Sequence, residues 1–246
     1  MNLAGIAGNR GRNLLNIADR QPGGASVSVI LTNSVDAPVL AAAQEREIPT
    51  EVVPRNGDSR HDHERRMLDS LSSYECDLVC LDGYMQILSD TFLDSAPPTL
   101  NIHPSLLPAF PGADAWGDAL EAGVSVTGCT VHVVTDATDD DGTVVEALID
   151  SGPIVTQEPV PVYEDDTKAD LKERILYEGE FQAYPRAVKW FASESVSIDE
   201  DHGTVTVEAD THEALPVRRF NSSDRSAVLR YGLFRRRKPY LFSVVL

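Results

Sequence analysis

Residues 2–32, NLAGIAGNRGRNLLNIADRQPGGASVSVILT, contain two short apolar runs separated by a glycine-containing loop and an amphipathic segment. NLAGIA and SVSVILT have the length and composition of buried strands, and the apolar residues of NLLNIADR have helical spacing. A strand, a crossover helix and a second strand in this order form a parallel unit. The stretch therefore predicts an α/β fold built on a parallel sheet.

The same alternation continues as far as residue 103. APVLAAAQERE, residues 61–74 and MQILSDTFLDS are predicted to be helical, and TEVVP, DLVCLDG and TLNIH are predicted to be strands. Together these segments predict a doubly wound, mostly parallel sheet with helices on both faces. In such a sheet ligands bind beyond the carboxyl ends of the strands, where the loops converge.

The charge of the chain restricts its partners and its setting. Among 246 residues, 39 are acidic and 21 basic, which gives a formal net charge of −18, and only four of the basic residues are lysine. Such a surface repels nucleic acid at long range, so no nucleic-acid partner is expected. An acidic excess with few lysines resembles the proteins of salt-accumulating archaea, which indicates a halophilic source.

The apolar runs and the cysteines indicate a cytoplasmic protein. No run reaches the length that spans a bilayer, and the N-terminus lacks the basic and apolar segments of a secretory signal. We therefore expect no membrane partner. The three cysteines are odd in number and lie within apolar runs, which favours reduced, buried thiols over a disulfide framework.

Two loops at strand ends carry candidate functional residues. Asn101 and His103 end the strand TLNIH, and the prolines that follow would hold the next segment extended as the wall of a crevice. The loop GNRGRNLL after the first strand offers backbone N–H groups, a helix N-terminus and Arg12 to a phosphate. It matches neither GxGxxG nor the Walker A pattern, and a simple tight turn remains the alternative.

Five motifs in order make the chain resemble a known family. GNRGRN, GYMQILS, NIHPSLLPAFPG, TGCTVHVVT and DSGPIVTQEPVPV are similar to segments of the folate-dependent glycinamide ribonucleotide formyltransferases of purine biosynthesis. The resemblance extends from residue 2 to about residue 192. It implies a formyltransferase-like catalytic domain over residues 1–192, followed by a short C-terminal extension over residues 193–246.

The resemblance also implies the catalytic residues. Asn101 and His103 match the family's catalytic asparagine and histidine, and Asp150 in DSGP matches its catalytic aspartate. Formyl transfer from 10-formyltetrahydrofolate places negative charge on the formyl oxygen, for which Asn101 and a protonated His103 are suitable donors. His103 would also act as general acid, and Asp150 would orient it and help the proton to move.

Substrate positions follow from the same matching. The family's ribose-phosphate loop corresponds to Gly11, Arg12 and Asn13, and its acidic residue for the glycinamide amino group corresponds to Glu180. The residues implied on the folate side are Arg60, Met85, Gln86, Ile87 and Leu88. Taken alone, MQIL is typical of an ordinary packing turn. Formyl folate would be a co-substrate, and no metal is expected because no histidine or cysteine spacing forms a convincing site.

The chain departs from the family pattern at three places. Asp114 and Trp116 stand where the family often has histidines, and residues 136–149 are an insertion. The insertion contains competing aspartates, and Asp141, which directly precedes a glycine, is the alternative catalytic carboxylate. Beyond residue 192, SVSIDEDHGTVTVEAD predicts a small hairpin and the basic, apolar tail carries LRYG, which faintly resembles a second formyltransferase of the pathway. A homodimer, or fusion to or association with another purine enzyme, stays open.

Three other functions are compatible with these motifs. Formyltetrahydrofolate hydrolases share the Asn, His and Asp residues but usually carry a regulatory domain before them. Methionyl-tRNA formyltransferases share the folate site but need a positive tRNA-binding surface, which an acidic chain lacks. A non-catalytic folate-binding or phosphoribosyl-binding protein is the third alternative, and ligand binding without turnover would distinguish it.

Overall fold

Seven strands form the central sheet of the computed structural model, which describes residues 1–139, 141–199 and 204–208. Their order across the sheet is β3-β2-β1-β4-β5-β6-β7. The strands are β1 (Asn2–Ala7), β2 (Ser26–Thr32), β3 (Thr50–Val52), β4 (Leu78–Asp82), β5 (Thr99–His103), β6 (Val126–Val133) and β7 (Ile154–Pro161). The first five run parallel, and β6 and β7 pair antiparallel at one side.

Helices connect these strands. They are α1 (Arg12–Arg20), α2 (Val39–Gln44), α3 (Arg60–Leu71), α4 (Asp90–Leu93), α5 (Ala115–Glu121), α6 (Lys168–Arg174) and α7 (Phe181–Ala192). A π-helical turn over Ile175–Glu180 joins α6 to α7. Short 3₁₀ turns cover Pro22–Gly24 and Glu146–Leu148.

Both faces of the sheet are covered, as the alternation of side chains along β1 shows. Ile6 belongs to a buried cluster with Met67 of α3 and Phe92 of α4. Gly5 points to the opposite face, where an added Cβ would lie 2.6 Å from a methyl group of Leu14 in α1. The predicted doubly wound, mostly parallel sheet with helices on both faces is therefore confirmed.

Helix α7 contacts α1 through a backbone carbonyl that has no partner within its own helix because of a proline. Pro185 lies inside α7 and has no N–H to donate to Phe181. The Phe181 carbonyl instead accepts from Arg20 at 2.5 Å and from Asn16 at 3.3 Å, both in α1. The Phe181 carbonyl thus links α7 to α1.

The prediction of a helical turn over MQILSDTFLDS is wrong for its first half. Helix α4 covers only Asp90–Leu93, and residues 85–88 form a loop. The end of that loop is held by a tertiary contact. Ser89 donates its backbone N–H and its hydroxyl to the buried carboxylate of Glu64 in α3. Sequence periodicity carries no information on such a partner.

The predicted hairpin after residue 192 is present as β8 (Val196–Asp199) and β9 (Thr204–Val207), which pair antiparallel. The basic tail with LRYG lies outside the described residues, so the boundary at residue 192 and the role of the extension stay predictions. No helix within the described ranges is long and apolar enough to cross a membrane.

Candidate active site

A cavity of about 710 Å³ opens at the carboxyl ends of β1, β4 and β5. This volume lies within the range of small-molecule sites, and its place at strand ends is the one that the sheet topology predicts. The predicted site residues among its walls are Gly11, Arg12, Asn13, Met85, Gln86, Ile87, Asn101, His103, Asp150 and Glu180. Residues separated by up to 169 positions in the chain therefore share one space.

Asn101 lies on β5 directly opposite His132 on the antiparallel neighbour β6. The Nδ2 atom of Asn101 is 3.2 Å from Nε2 of His132. The other ring nitrogen, Nδ1, is 3.1 Å from the Val133 carbonyl, so the neutral tautomer with hydrogen on Nδ1 leaves Nε2 free to accept from Asn101. This contact orients the Asn101 amide.

His132 is a site residue that the sequence reasoning missed, although it lies within the quoted motif TGCTVHVVT. Burial lowers the pKa of His132, against the opposing effect of the Asp150 charge, so the neutral ring is favoured. A histidine in a buried strand without charged residues was the available signal. Its meaning depends on the pairing of β6 with β5, which the sequence does not display.

His103 is held between two oxygen atoms. Its Nδ1 lies 3.1 Å from Oδ2 of Asp150, and its Nε2 lies 2.8 Å from the carbonyl of Phe110. A protonated ring can donate to both oxygens at once, whereas a neutral ring can donate to only one. The proline-containing segment after β5 thus returns its backbone to the histidine, with Phe110 at a positive φ of 54°.

Asp150 is the aspartate that meets the two histidines. Besides His103, its carboxylate accepts from the Gly112 N–H at 3.1 Å and lies 3.7 Å from Nε2 of His132. Its φ is 55°, in the left-handed region that few residues other than glycine adopt, so the backbone is held in a costly conformation at this residue. Asp141 is exposed and bonds within the turn of Asp139.

The loop after β1 has the conformation that its glycine predicts. Gly11 precedes α1 at φ 59°, and a Cβ there would lie 2.5 Å from a methyl group of Val39, so both the backbone and the available space require glycine. The N–H of Asn13, however, already donates to Oδ2 of Asp82 at 2.7 Å. Asp82, at the end of β4, is a partly buried carboxylate that sequence reasoning missed.

Burial raises the pKa of Asp82, and the N–H groups of Asn13 and Leu14 together with the charge of Arg12 oppose that rise. The free N–H groups of a helix N-terminus normally attract an anion, and here a protein carboxylate uses part of that capacity. A phosphate bound at this loop would therefore lie close to a like charge.

Glu180 ends the π-helical turn and lies beside the same loop. Nδ2 of Asn13 donates to its Oε2 at 2.7 Å and to Oδ1 of Asp82 at 3.4 Å, which places one amide between two carboxylates. Burial raises the pKa of Glu180 to about 7, and the Asp82 charge adds to the rise. Oδ1 of Asn13 is buried and has no hydrogen-bond partner among the described residues.

The predicted folate-side residues divide between loop and core. Met85, Gln86 and Ile87 line the main cavity, with Met85 72% exposed, whereas Leu88 is buried. Gln86, Ile87 and Leu88 also line an adjoining cavity of about 80 Å³. Arg60 lines neither cavity, so the structure does not bring it to the site.

The insertion contributes to this smaller cavity. Ala137, Leu148 and Ile149 form part of its wall, next to Asn101 and Asp150. Leu148 is also 40% exposed to solvent. The insertion therefore shapes the space beside Asn101 and Asp150.

Asp114 and Trp116, which replace the histidines of the family pattern, lie at the start of α5. Asp114 caps the helix by accepting from the Gly117 N–H and pairs with Lys168 of α6. Trp116 lines the main cavity, and the Nζ atom of Lys172 lies 4.6 Å from the centre of its ring. Within the described ranges, no group of three or more His, Cys, Asp or Glu side chains could hold a metal ion.

Comparison with known proteins gives a consistent result. Residues 1–188 match the family profile described as Formyl transferase. The chain is 33% identical to phosphoribosylglycinamide formyltransferase from Escherichia coli over 206 residues, which cover 82% of this chain and 92% of that protein. A crystal structure of glycinamide ribonucleotide transformylase 1 from Symbiobacterium toebii superposes with a TM-score of 0.76 at 37% identity, covering 85% of this chain and 94% of that one.

Other relatives are much longer proteins. The chain is 36% identical over 204 residues to a trifunctional purine biosynthetic protein, adenosine-3, from Homo sapiens, and spans 81% of its own length but only 19% of that relative. Similar sequences therefore occur both as single-domain proteins and as parts of larger ones.

Proposed function

The chain belongs to the phosphoribosylglycinamide formyltransferase family, and on this premise we propose that it transfers the formyl group of 10-formyltetrahydrofolate to the amino group of glycinamide ribonucleotide in purine biosynthesis. The observation that carries the proposal is a connected set of contacts at the cavity wall. The Asp150 carboxylate contacts His103 and lies near His132, and His132 contacts the amide of Asn101.

Asn101 is the proposed donor to the formyl oxygen. An amide nitrogen has two hydrogens, and the contact with His132 uses one of them. The second is available for the oxygen on which negative charge develops when the amine attacks the formyl carbon. A donor already oriented before the reaction stabilises that charge without reorganisation.

His103 is the proposed general acid. As the new C–N bond forms and the bond between the formyl carbon and the folate nitrogen breaks, that nitrogen must gain a proton. Both ring nitrogens of His103 are engaged with protein oxygens, so the substrate must displace one contact. The Nδ1 contact with Asp150 is the longer of the two, at 3.1 Å, and we assign the proton transfer to Nδ1. Asp150 would orient the ring through this contact until the substrate displaces it, and would then accept the proton that the amine loses, directly or through water.

The proposed substrate orientation runs across the cavity. The phosphate would lie at Gly11, Arg12 and Asn13, and the pterin would lie beside Met85, Gln86 and Ile87. Glu180 is assigned to the amino group. Its carboxylate lies 2.7 Å from Asn13, which belongs to the proposed phosphate loop. The ribose next to the phosphate would therefore also lie near Glu180, and its hydroxyl groups are competing donors for this carboxylate. Arg60 would contact folate only through a portion that extends beyond the cavity.

The setting of the enzyme is also a proposal. The acidic composition is typical of a protein in a salt-rich cytoplasm. It also favours small-molecule substrates over a nucleic-acid partner, because the negative surface repels a polyanion. A dimer, or association with another purine enzyme, is compatible with relatives that form parts of trifunctional proteins.

The test is a steady-state assay of the purified protein in concentrated potassium chloride, with both substrates and with mass detection of both products. Formylated product that requires both ligands would support the proposal, and His103→Ala should lower kcat by about 10² to 10⁴ with small changes in KM. Deformylation without the acceptor would instead indicate a hydrolase. Binding of either ligand without any reaction would indicate a binding protein.

A further inference from the structure

Three basic side chains line the main cavity without a close ion pair among the described residues. Arg10, Arg12 and Lys172 line the cavity, and none of them forms an ion pair within the described part of the chain. Elsewhere in the described residues, six basic side chains are paired with carboxylates, while Arg20, Arg55 and Arg60 form no ion pair. The ion pairs present are Arg46–Asp19, Arg65–Asp62, Arg66–Asp58, Lys168–Asp114, Arg174–Asp166 and Arg186–Glu158. Unpaired cations at one cleft of a protein with net charge −18 indicate an anionic ligand there.

Lys172 is held at the cavity wall by a ring from another helix. Its Nζ atom lies over the face of Trp116, so α6 and α5 meet through a cation–π contact at 4.6 Å. The indole Nε1 of Trp116 is buried and has no hydrogen-bond partner among the described residues. Trp116 therefore acts here through the face of its ring.

Lys172 and Arg12 share one electrostatic partner, the carboxylate of Glu180. The charges of both Lys172 and Arg12 act on Glu180, where they lower a pKa that burial raises. Glu180 in turn contacts Asn13 directly. Lys172 and the α1 loop thus lie near the same carboxylate, on different walls of one cavity.

We propose that Lys172, held by Trp116, is a second binding residue for the phosphate of the ribonucleotide, facing the α1 loop across the cavity. The inference rests on the proposed function for the identity of that ligand. A phosphate monoester carries close to two negative charges, and the α1 loop alone presents it with the Asp82 carboxylate. A cation on the opposite wall offsets that repulsion. The carboxylates of a folate tail are the other source of negative charge, and the action of Lys172 on Glu180, which contacts Asn13, favours the phosphate.

The test measures equilibrium binding by calorimetry, using the full chain and two separate probes, glycinamide ribonucleotide and ribose 5-phosphate. Lys172→Met should weaken both about tenfold, which corresponds to the loss of one charge-assisted hydrogen bond, and Lys172→Arg should restore most of the affinity. Lys168→Met is the matched control. It removes the same charge from the same helix, but Lys168 lines neither cavity and should leave both affinities unchanged.

Trp116 is a positioning residue and needs a test of coupling. Trp116→Leu should weaken ribose 5-phosphate binding about two- to fivefold, whereas Trp116→Phe should retain most of the affinity because a ring face remains. In the Lys172→Met background, Trp116→Leu should have no further effect. Additive losses would mean that Trp116 acts independently of the lysine, and would overturn the positioning role.

The remaining outcomes separate this inference from the proposed function. Wild-type binding of both probes with an unchanged affinity in Lys172→Met would overturn the phosphate role alone. A selective loss of formyl folate binding in Lys172→Met would overturn it in favour of the folate tail. If the wild type bound ribose 5-phosphate but not the ribonucleotide, the proposed function would fail, and a tenfold loss of ribose 5-phosphate affinity in Lys172→Met would still support phosphate binding by Lys172.

Discussion

At the residue scale, one carboxylate connects the proposed catalytic groups. Asp150 contacts His103, accepts from Gly112 and lies near His132, and it does so from a strained backbone conformation. Only the contact with a protonated His103 gains strength from a negative charge on this side chain. The alternative aspartate, Asp141, belongs to an exposed turn stabilised by Asp139. The two residues therefore provide a matched pair for mutation.

We expect Asp150→Asn to reduce kcat at least about 100-fold with little change in either KM, because an amide cannot take up the proton or stabilise a charged His103. Asp141→Asn should leave kcat and KM at their wild-type values. Steady-state kinetics of the two variants under identical salt conditions make the comparison. Loss of activity in Asp141→Asn would mean that the catalytic carboxylate comes from within the insertion.

Glu180 makes the stability of the protein depend on pH. Its pKa rises from an ordinary value of 4.5 to about 7 in the folded state, so folding favours the protonated form. This stabilisation is complete below about pH 4.5 and is lost as pH rises through 7. The shift corresponds to about 3 kcal/mol. Glu180→Gln should therefore flatten the decrease in unfolding free energy between pH 5 and pH 8, as measured by urea denaturation; an unchanged slope would assign it to other groups.

At the element scale, the N-terminus of α1 is shared between the protein and its ligand. Asp82 accepts the Asn13 N–H and has a raised pKa from burial, while the same helix end is the proposed phosphate site. The carboxylate caps the helix but repels a bound anion. Its two effects can be separated, since asparagine retains an oxygen that accepts the N–H and lacks the charge.

Asp82→Asn should strengthen ribose 5-phosphate binding several-fold at low ionic strength, because a like charge beside the phosphate is removed. The gain should shrink as salt is added. Asp19→Asn is the control, since Asp19 also lies on α1 but pairs with Arg46 outside the cavity. Calorimetric titration of the three proteins gives the result, and equal affinities throughout would contradict the proposed closeness of Asp82 to the phosphate.

At the scale of the whole molecule, the net charge of −18 opposes compaction through repulsion among surface carboxylates. Salt shortens the range of that repulsion from about 10 Å at 0.1 M to about 3 Å at 1 M. The urea midpoint of unfolding should therefore rise as potassium chloride increases. An uncharged osmolyte at equal osmolality should produce a smaller rise than the salt does. A midpoint that falls or stays constant with potassium chloride would contradict the halophilic interpretation.

The amino-acid sequence by itself determined the α/β class and the placement of Asn101 and His103 at a strand end, because helix and strand periodicities are local properties of the chain. The loop at Gly11 was predictable for the same reason, since a backbone with positive φ needs a particular residue. These features need no knowledge of what lies across the fold. The resemblance of ordered motifs to a family added the residues of the site.

Only the tertiary structure decided how these residues are supported. His132 faces Asn101 because β6 pairs with β5 in one antiparallel register, and Asp82 reaches Asn13 because β4 lies beside β1. Trp116 meets Lys172 because α5 packs beside α6. Each partner is distant in the chain, and its side chain has no periodicity that marks it as functional. Pairing register and helix packing arise from burial of the whole core, and a local pattern does not contain that information.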